Sequence, residues 1–263
     1  MRLDWQCAPV DAVRGTVRVP GDKSISHRAI MLGALAEGTT EVSGFLEGED
    51  CLATMRAFQA MGVEIVHHGA GRVTIHGAGL HGLRAPAAPL DVGNSGTSMR
   101  LLAGVLAGQP FDAVLVGDAS LIKRPMRRVT EPLTLMGAEI ATSDAGTAPL
   151  VIHGRPLHGM DYTLPVASAQ LKSALLLAGL FADGTTRITE TGVSRDHSER
   201  MLRGFGVSVE KDGATLAIRG GQRLSACEVV VPGDVSSAAF FIVAALIARE
   251  GALLLENVGM NLT

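Results

Sequence analysis

The sequence predicts an α/β (α+β) protein made by repetition: a pseudo-threefold domain of three βαβαββ units, with an incomplete second domain beside it. Three observations carry this expectation. Four segments align with one another: PGDKSISHRAIMLGALAEGTT from Pro20, VGNSGTSMRLLAGVLAGQPF from Val92, PVASAQLKSALLLAGLFADGTT from Pro165 and PGDVSSAAFFIVAALIAREGA from Pro232, with starts 72, 73 and 67 residues apart. Later landmarks repeat in step. Met61-Gly62-Val63-Glu64 matches Met136-Gly137-Ala138-Glu139 and Phe205-Gly206-Val207-Ser208, and Val73-Thr74-Ile75-His76-Gly77 matches Leu150-Val151-Ile152-His153-Gly154 and Leu216-Ala217-Ile218-Arg219-Gly220. A period of about 70 exceeds the 20–50 residues of solenoid repeats and suits a globular domain with internal symmetry.

Each unit reads in the same order. A short apolar strand (16–19 or 162–164) runs into a polar turn containing Gly or Ser, and an apolar helix such as 29–36 with its flanks follows. That helix is apolar nearly all round, which fits burial inside a shell of sheets. A strand comes next (39–43, 185–189), then a second helix with apolar residues at helical spacing: Leu52, Met55, Phe58 and Met61 in the first unit, Met201, Leu202 and Phe205 in the third. It stops at Gly62, Gly137 or Gly206, where a left-handed cap favours glycine. Two strands close the unit, as in Glu64-Ile65-Val66 and Arg72-Val73-Thr74-Ile75. Three such units fill residues 20 to about 231. The fourth has one helix and one strand (252–256) before Thr263. Half a unit cannot bury its own apolar helix, so the chain reads as a fragment of a longer protein. The apolar run 238–248 is too short to span a bilayer and reads as a buried helix.

Composition narrows the function. With 263 residues, 47% of them apolar, the chain can bury a large core, while a formal charge of −3 and 3% aromatics argue against nucleic-acid binding. Three separated cysteines (Cys7, Cys51, Cys227) form no CxxC pair, so free thiols are expected rather than disulfides or a zinc ribbon. The N-terminus has no apolar signal core. A soluble, cytoplasmic protein is the expectation.

The chemistry lies at the strand-to-helix turns. The first amides of a helix have no internal partners and carry partial positive charge, so each turn is a ready anion site. Threefold symmetry can aim three of them at one place. The first turn holds Lys23, Ser24, Ser26 and Arg28, crowding a point charge, hydroxyls and a guanidinium fork into six positions. The second is Gly93-Asn94-Ser95-Gly96-Thr97 with Arg100, where small residues let a ligand approach the backbone. The third is Ser168-Ala169-Gln170 with Lys172 and Ser173. Only four lysines occur beside nineteen arginines, and Lys23, Lys123 and Lys172 fall in these marked segments. Lys123-Arg124-Pro125-Met126-Arg127-Arg128 reads as an anion clamp acting mainly through Arg124, with Pro125 near the first position of a helix. In Ser194-Arg195-Asp196-His197-Ser198-Glu199, Asp196 or Ser198 caps a helix and Arg195 precedes it. Ordinary capping and solvated charge are the competing reading of each turn. Gly77-Ala78-Gly79-Leu80-His81-Gly82 matches a dinucleotide-binding pattern, but the proline-containing stretch after it cannot open the required helix. His67, His68, His76 and His81 lack metal-binding spacing.

Lys23-Ser24-Ile25-Ser26-His27-Arg28, the run from Gly93 to Arg100, Arg124-Pro125-Met126 and Ser168-Ala169-Gln170, at these separations, resemble the 5-enolpyruvylshikimate-3-phosphate synthases (3-phosphoshikimate 1-carboxyvinyltransferases) over the whole chain. The resemblance implies an enolpyruvyl transferase-like, inside-out α/β barrel. Residues 20–232 would be one complete domain, and 1–19 and 233–263 pieces of a second one reached through two hinge strands. It implies transfer of the enolpyruvyl group of phosphoenolpyruvate to the 5-hydroxyl of shikimate 3-phosphate, releasing phosphate, in the shikimate pathway to chorismate and aromatic amino acids. No metal or cofactor is implied, and no nucleic-acid or membrane partner; the full-length protein would be a monomer. By motif match Lys23 contacts both substrates; Ser24, Arg28, Ser168, Ala169, Gln170 and Arg195 hold shikimate 3-phosphate; and Asn94, Gly96, Arg124 and Gln170 line the phosphoenolpyruvate pocket. Ala169 stands where many members have a second serine, leaving its backbone amide. Gly96 implies room for the herbicide glyphosate and hence inhibition. The family's catalytic Asp, Glu and Lys belong to the half that follows, so Lys23, with Asp50 as partner, plays a supporting part, and the chain alone would have no turnover. A non-catalytic anion-binding fragment is the alternative. The related UDP-N-acetylglucosamine enolpyruvyltransferases expect Lys-Asn where Lys23-Ser24 stands.

Overall fold

Repetition in the sequence becomes repetition of sheets. The computed structural model describes residues 4, 6 and 8–261, and its first element is β1 (Ala12–Val17). The first unit then runs α1 (Lys23–Leu35), β2 (Glu37–Ser43), α2 (Glu49–Ala60), β3 (Glu64–Gly69) and β4 (Arg72–Ala78). The second is β5 (Leu90–Asp91), α3 (Gly96–Ala107), β6 (Ala113–Val116), α4 (Arg127–Leu135), β7 (Glu139–Ala141) and β8 (Leu150–His153). After β9 (Leu157–His158), the third is β10 (Asp161–Thr163), α5 (Ala169–Gly179), β11 (Ala182–Asp183), β12 (Thr185–Thr189), α6 (His197–Gly204), β13 (Val209–Asp212) and β14 (Thr215–Arg219). β15 (Glu228–Val230), α7 (Val235–Ile247) and β16 (Glu250–Leu255) follow.

The second and third units build equivalent four-stranded sheets, β5-β6-β8-β7 and β10-β12-β14-β13, each with one parallel and two antiparallel pairings. The first sheet has the same plan, β15-β2-β4-β3, but its parallel edge strand is β15, with Glu228 opposite Glu41. This corrects the expected strand at 16–19. β1 ends at Val17 and pairs instead with β16 in a separate parallel ribbon. The ring of units is therefore closed by a strand from beyond the third unit. A glycine recurs where each closing strand crosses the end of its buried helix. A Cβ on Gly77, Gly154 or Gly220 would lie 2.1, 2.0 or 1.8 Å from a backbone oxygen (Ala36, Gln109 and Ala182 respectively), so only hydrogen fits.

Helices α1, α3 and α5 form the centre, and residues such as Ile30, Leu101, Leu102 and Leu175 are fully buried. Each start is capped by a side chain accepting a backbone N–H: Asp22 from Ile25 (2.8 Å), Ser95 from Ser98 (3.1 Å) and Ser168 from Leu171 (3.3 Å). The outer helices bury one face each, through Phe58, Leu133 and Leu202. They end as expected before Gly62, Gly137 and Gly206, with φ of +88°, +97° and +84°.

Three local expectations change. The apolar helix at 238–248 is α7, but among its residues only Ala238 is buried; Phe240, Leu246 and Ile247 are 79%, 78% and 80% exposed. It packs on β16 and β1, which are too small to cover it. Pro125 lies before the cap Met126 rather than inside α4, because the Met126 N–H is held by the Gly146 carbonyl (2.8 Å) and the helix opens only at Arg127. Asp196 is the α6 cap by position, without a side-chain capping bond. The chain crosses between the ribbon and the three sheets twice, and the crossings are bonded to each other. Asp22 N–H meets the Pro232 carbonyl at 2.8 Å and Asp234 N–H the Pro20 carbonyl at 2.9 Å. Cys51 and Cys227 are free thiols, whereas Cys7 lies outside the described residues. Among the described residues no helix is long and apolar enough to cross a membrane.

Candidate active site

The three capped helix starts meet at one end of the molecule. α3 and α5 join through Gln170, whose Nε2 donates to Thr97 Oγ1 (3.0 Å) while its Oε1 accepts from Arg100 Nη1 (3.0 Å). Both ends of the amide are thereby fixed. α1 joins through Asp50, in the first turn of α2. The Lys23 ammonium pairs with the Asp50 carboxylate, and Ser98 Oγ reaches the Asp50 carbonyl at 3.4 Å. From the third unit Arg195 Nη1 donates to Ser24 Oγ at 3.4 Å. Lys23 keeps 46% of its side chain exposed, so its charge faces solvent above the helix starts.

Arg28 is placed differently. It is 5% exposed and lies beneath the helix starts. Nε donates to Ser198 Oγ (2.7 Å), Nη1 to the Ser24 carbonyl (2.8 Å) and Nη2 to Ser173 Oγ (2.6 Å), leaving two of its five N–H groups. Burial pulls its pKa down to about 10, with Glu199 opposing, so the guanidinium stays charged near neutrality. Beside it His27 is fully buried, with Nδ1 on Thr54 Oγ1 (2.8 Å); burial, then Arg28 and Lys23, hold its imidazole down at about 3 and therefore neutral. Thr54 continues to Ser98 (2.6 Å) and Ser98 to Ser95 (2.6 Å), so a buried hydroxyl chain ties α1 to α2 and α3.

On the α3 side, Arg124 donates to Asn94 Oδ1, and Asn94 Nδ2 donates to both Asp118 oxygens (3.0 and 2.7 Å). Those bonds, with the Leu121 N–H, hold the Asp118 carboxyl below its usual range. Gly96 sits under two guanidiniums: a Cβ there would be 2.8 Å from Arg100 Nη1 and 3.2 Å from Arg124 Nη1. Burial, then the Arg128 and Arg124 charges, lower the Arg100 pKa. Local charge is thus strongly positive despite the formal −3. Ser168 spends its acceptor on the cap and keeps its O–H, and Ala169 contributes the first helical amide of α5.

Lys172 departs from expectation. It is 1% exposed and pairs with Glu199 (2.6 Å) and Glu190 (3.0 Å). Its leucine-rich helix faces the core at that position, so the charge is neutralised inside. Arg100 and Thr97, which orient Gln170, were legible only as parts of a turn motif. The pairing of Lys172 with residues 190 and 199 leaves no local sequence signal. A cavity of about 560 Å³ adjoins the site on the α6 side, bordered by Asp22, Arg195, His197 and Val229, rather than over the starts of α3 and α5. Among the described residues no three His, Cys, Asp or Glu side chains gather as a metal site.

Comparison with known proteins agrees with this geometry. Residues 7–263 match the family model for EPSP synthase (3-phosphoshikimate 1-carboxyvinyltransferase). A 3-phosphoshikimate 1-carboxyvinyltransferase of Alkalilimnicola ehrlichii is 63% identical over 262 residues, covering 99% of this chain and 59% of that protein. One from Halorhodospira halophila is 64% identical over 261 residues, with the same coverage. A solved EPSP synthase from Acinetobacter baumannii superposes with a TM-score of 0.89 at 58% identity, covering 94% of this chain and 56% of that one. The chain spans about three fifths of the length of the curated relatives it matches. With three capped helix starts converging in an α/β fold of this kind, the chain belongs to the EPSP synthase family.

Proposed function

We propose that this chain supplies one wall of the active site of a 3-phosphoshikimate 1-carboxyvinyltransferase, and that the chain is an enzyme component rather than a passive anion-binding module. The observation that carries the reading is the joining of three helix starts through Gln170, Thr97, Arg100, Asp50 and Arg195. Two phosphorylated substrates must lie side by side, and cations and helix termini offset their repulsion. Lys23 faces both. Ser24, Arg28, Ser168, the Ala169 amide, Gln170 and Arg195 hold shikimate 3-phosphate, Arg28 through the two N–H groups left over from its buried bonds. Asn94, Gly96, Arg124 and Gln170 bound the phosphoenolpyruvate pocket.

In the reaction, the methylene carbon of phosphoenolpyruvate gains a proton and the 5-hydroxyl attacks the neighbouring carbon. The hydroxyl gives up its proton as it attacks, and the tetrahedral ketal phosphate so formed then loses phosphate together with a proton from the new methyl group, which restores the carbon–carbon double bond of the enolpyruvyl product. The residues here orient the substrates and neutralise their phosphates; general acid–base groups must stand within hydrogen-bond reach of the reacting atoms. Asp50, held by Lys23, positions that lysine. Residues 20–232 form one domain, and 1–19 with 233–263 belong to a second: β1, β16 and α7 pack on one another, and the bonded crossings at 20–22 and 232–234 are its hinge. Function in the cytoplasm as a monomer completes the proposal.

The test is phosphate release by the full-length protein with both substrates. Lys23→Ala and Arg124→Ala are each expected to lower kcat/KM by about tenfold to a hundredfold, the weight of a charged hydrogen bond. Residues 1–263 alone are expected to show no turnover. Unchanged rates in both variants, or product formed by residues 1–263, would contradict the assignment.

A further inference from the structure

We propose that Lys172 is a positioning residue: its buried ammonium staples both ends of the segment 190–199 and so fixes where Arg195 points. The proposal rests on the reading that Arg195 meets the phosphate of shikimate 3-phosphate. One Lys172 Nζ lies 3.0 Å from Glu190 Oε1, where the segment begins, and 2.6 Å from Glu199 Oε1, in the first turn of α6. Between them Ser194 Oγ donates to the same Glu190 oxygen at 2.6 Å, and Ser198 Oγ accepts from Arg28 Nε at 2.7 Å. The segment is therefore held at 190, 194, 198 and 199, with Arg195 beside one of those points and its guanidinium reaching Ser24 Oγ across the site.

Stability gives little reason for this arrangement. The neighbours of Lys172 on α5, Leu171, Ala174 and Leu175, are fully buried apolar residues, and a side chain of that kind at 172 would fill the space without desolvating an ion. What an apolar residue could not do is grip two carboxylates from opposite ends of one irregular segment. Lys172 and Arg28 together balance Glu190 and Glu199, so the cluster is neutral as a set, and it links α5 to α6 directly beneath the helix starts. An arginine on an untethered segment would sample many positions, whereas anion recognition is sensitive to displacements of about 1 Å.

The test is a cycle on the full-length protein, using shikimate 3-phosphate as probe. The double variant Lys172→Met/Glu190→Gln removes one charge of each sign and the staple with them, leaving Arg28 and Glu199 to balance each other. It is expected to raise the Kd and KM for shikimate 3-phosphate about tenfold while kcat at saturation stays within about twofold. In an Arg195→Ala background the same two changes are expected to add less than about twofold, because the staple acts through that arginine. Full additivity in that background, or a double variant that binds like the unaltered protein, would overturn the positioning role alone. Failure of the unaltered protein to bind shikimate 3-phosphate would overturn the functional reading and this proposal with it. Should the double variant not fold, Glu190→Gln frees one end only; a selective rise of about threefold in Kd is then expected, and no change would overturn the proposal.

Discussion

Replacing Gly104 by alanine drives a methyl group into the backbone of the next helix. α3 and α5 run side by side in the same direction: Gln170 meets Thr97 at their starts, and further along Gly104 faces Ala174. A Cβ on Gly104 would lie 2.2 Å from the Ala174 oxygen, 3.0 Å from its carbonyl carbon and 3.1 Å from its Cα. Carbon contacts are comfortable at about 3.5 Å, so the helices must part by about 1 Å. No rotamer relieves a clash with backbone, which places the overpacking penalty near the upper end of its range, about 3 kcal/mol. Alanine returns about 1 kcal/mol through its better helix propensity. The net is a destabilisation of about 2 kcal/mol, or about 4–8 °C in Tm for a chain of this size. The same separation stretches the 3.0 Å Gln170–Thr97 bond to about 4 Å, beyond hydrogen-bond range, so KM for shikimate 3-phosphate rises too. Thermal unfolding followed by circular dichroism measures the first effect. Gly204→Ala in α6 is the control: a Cβ there meets nothing within 4 Å and its φ is negative, so a gain of about 0.5–1 kcal/mol is expected. An equal or higher Tm for Gly104→Ala would refute the claim that backbone clearance sets the α3–α5 spacing.

Two further outcomes follow from burial. His27 is held at about 3 in the fold against 6.5 when exposed; between those values the unfolded chain binds a proton that the folded chain refuses. Its contribution is therefore complete above pH 6.5, erodes as pH falls and is gone by about 3. Between pH 7 and pH 5 the protein should lose about 2 kcal/mol more stability than His27→Gln in urea unfolding, and parallel pH profiles would show that the buried imidazole is irrelevant. On α7, Phe240→Ser with Leu246→Ser should reduce light scattering by residues 1–263 without lowering the Tm, since both side chains lie on the exposed apolar face; a lower Tm would mean that these side chains are packed.

The sequence makes the repeat, the caps and the glycine stops readable because each rests on neighbours within a few positions. Ser95 and Ser168 cap helices by bonding three residues ahead, and Gly62, Gly137 and Gly206 take a conformation that other residues resist. Pairings between distant segments are not written that way. β15 reads as an extra strand until it is found beside β2, and β1, which looks like the natural opening of unit one, finds its partner in β16. At the site, residue types at the helix starts announce anion binding, but which charges face outward depends on tertiary contacts. Lys23 is half exposed and Arg28 is buried within six positions of chain. Lys172 shows the limit most clearly, since a lysine in a leucine-rich helix looks like part of the adjoining turn until Glu190 and Glu199 are seen around it.

The closure of the first sheet by β15 bears on how the molecule is born. A ribosome delivers β2 long before β15, and at about 5–20 residues per second the delay is on the order of ten seconds or more. Throughout that interval the edge of β2 that will receive residues 228–230 has no native neighbour, and open strand edges invite pairing with other chains. The nascent polypeptide is thus most in need of a chaperone while its third unit is still being synthesised. Slowing elongation there should increase aggregation.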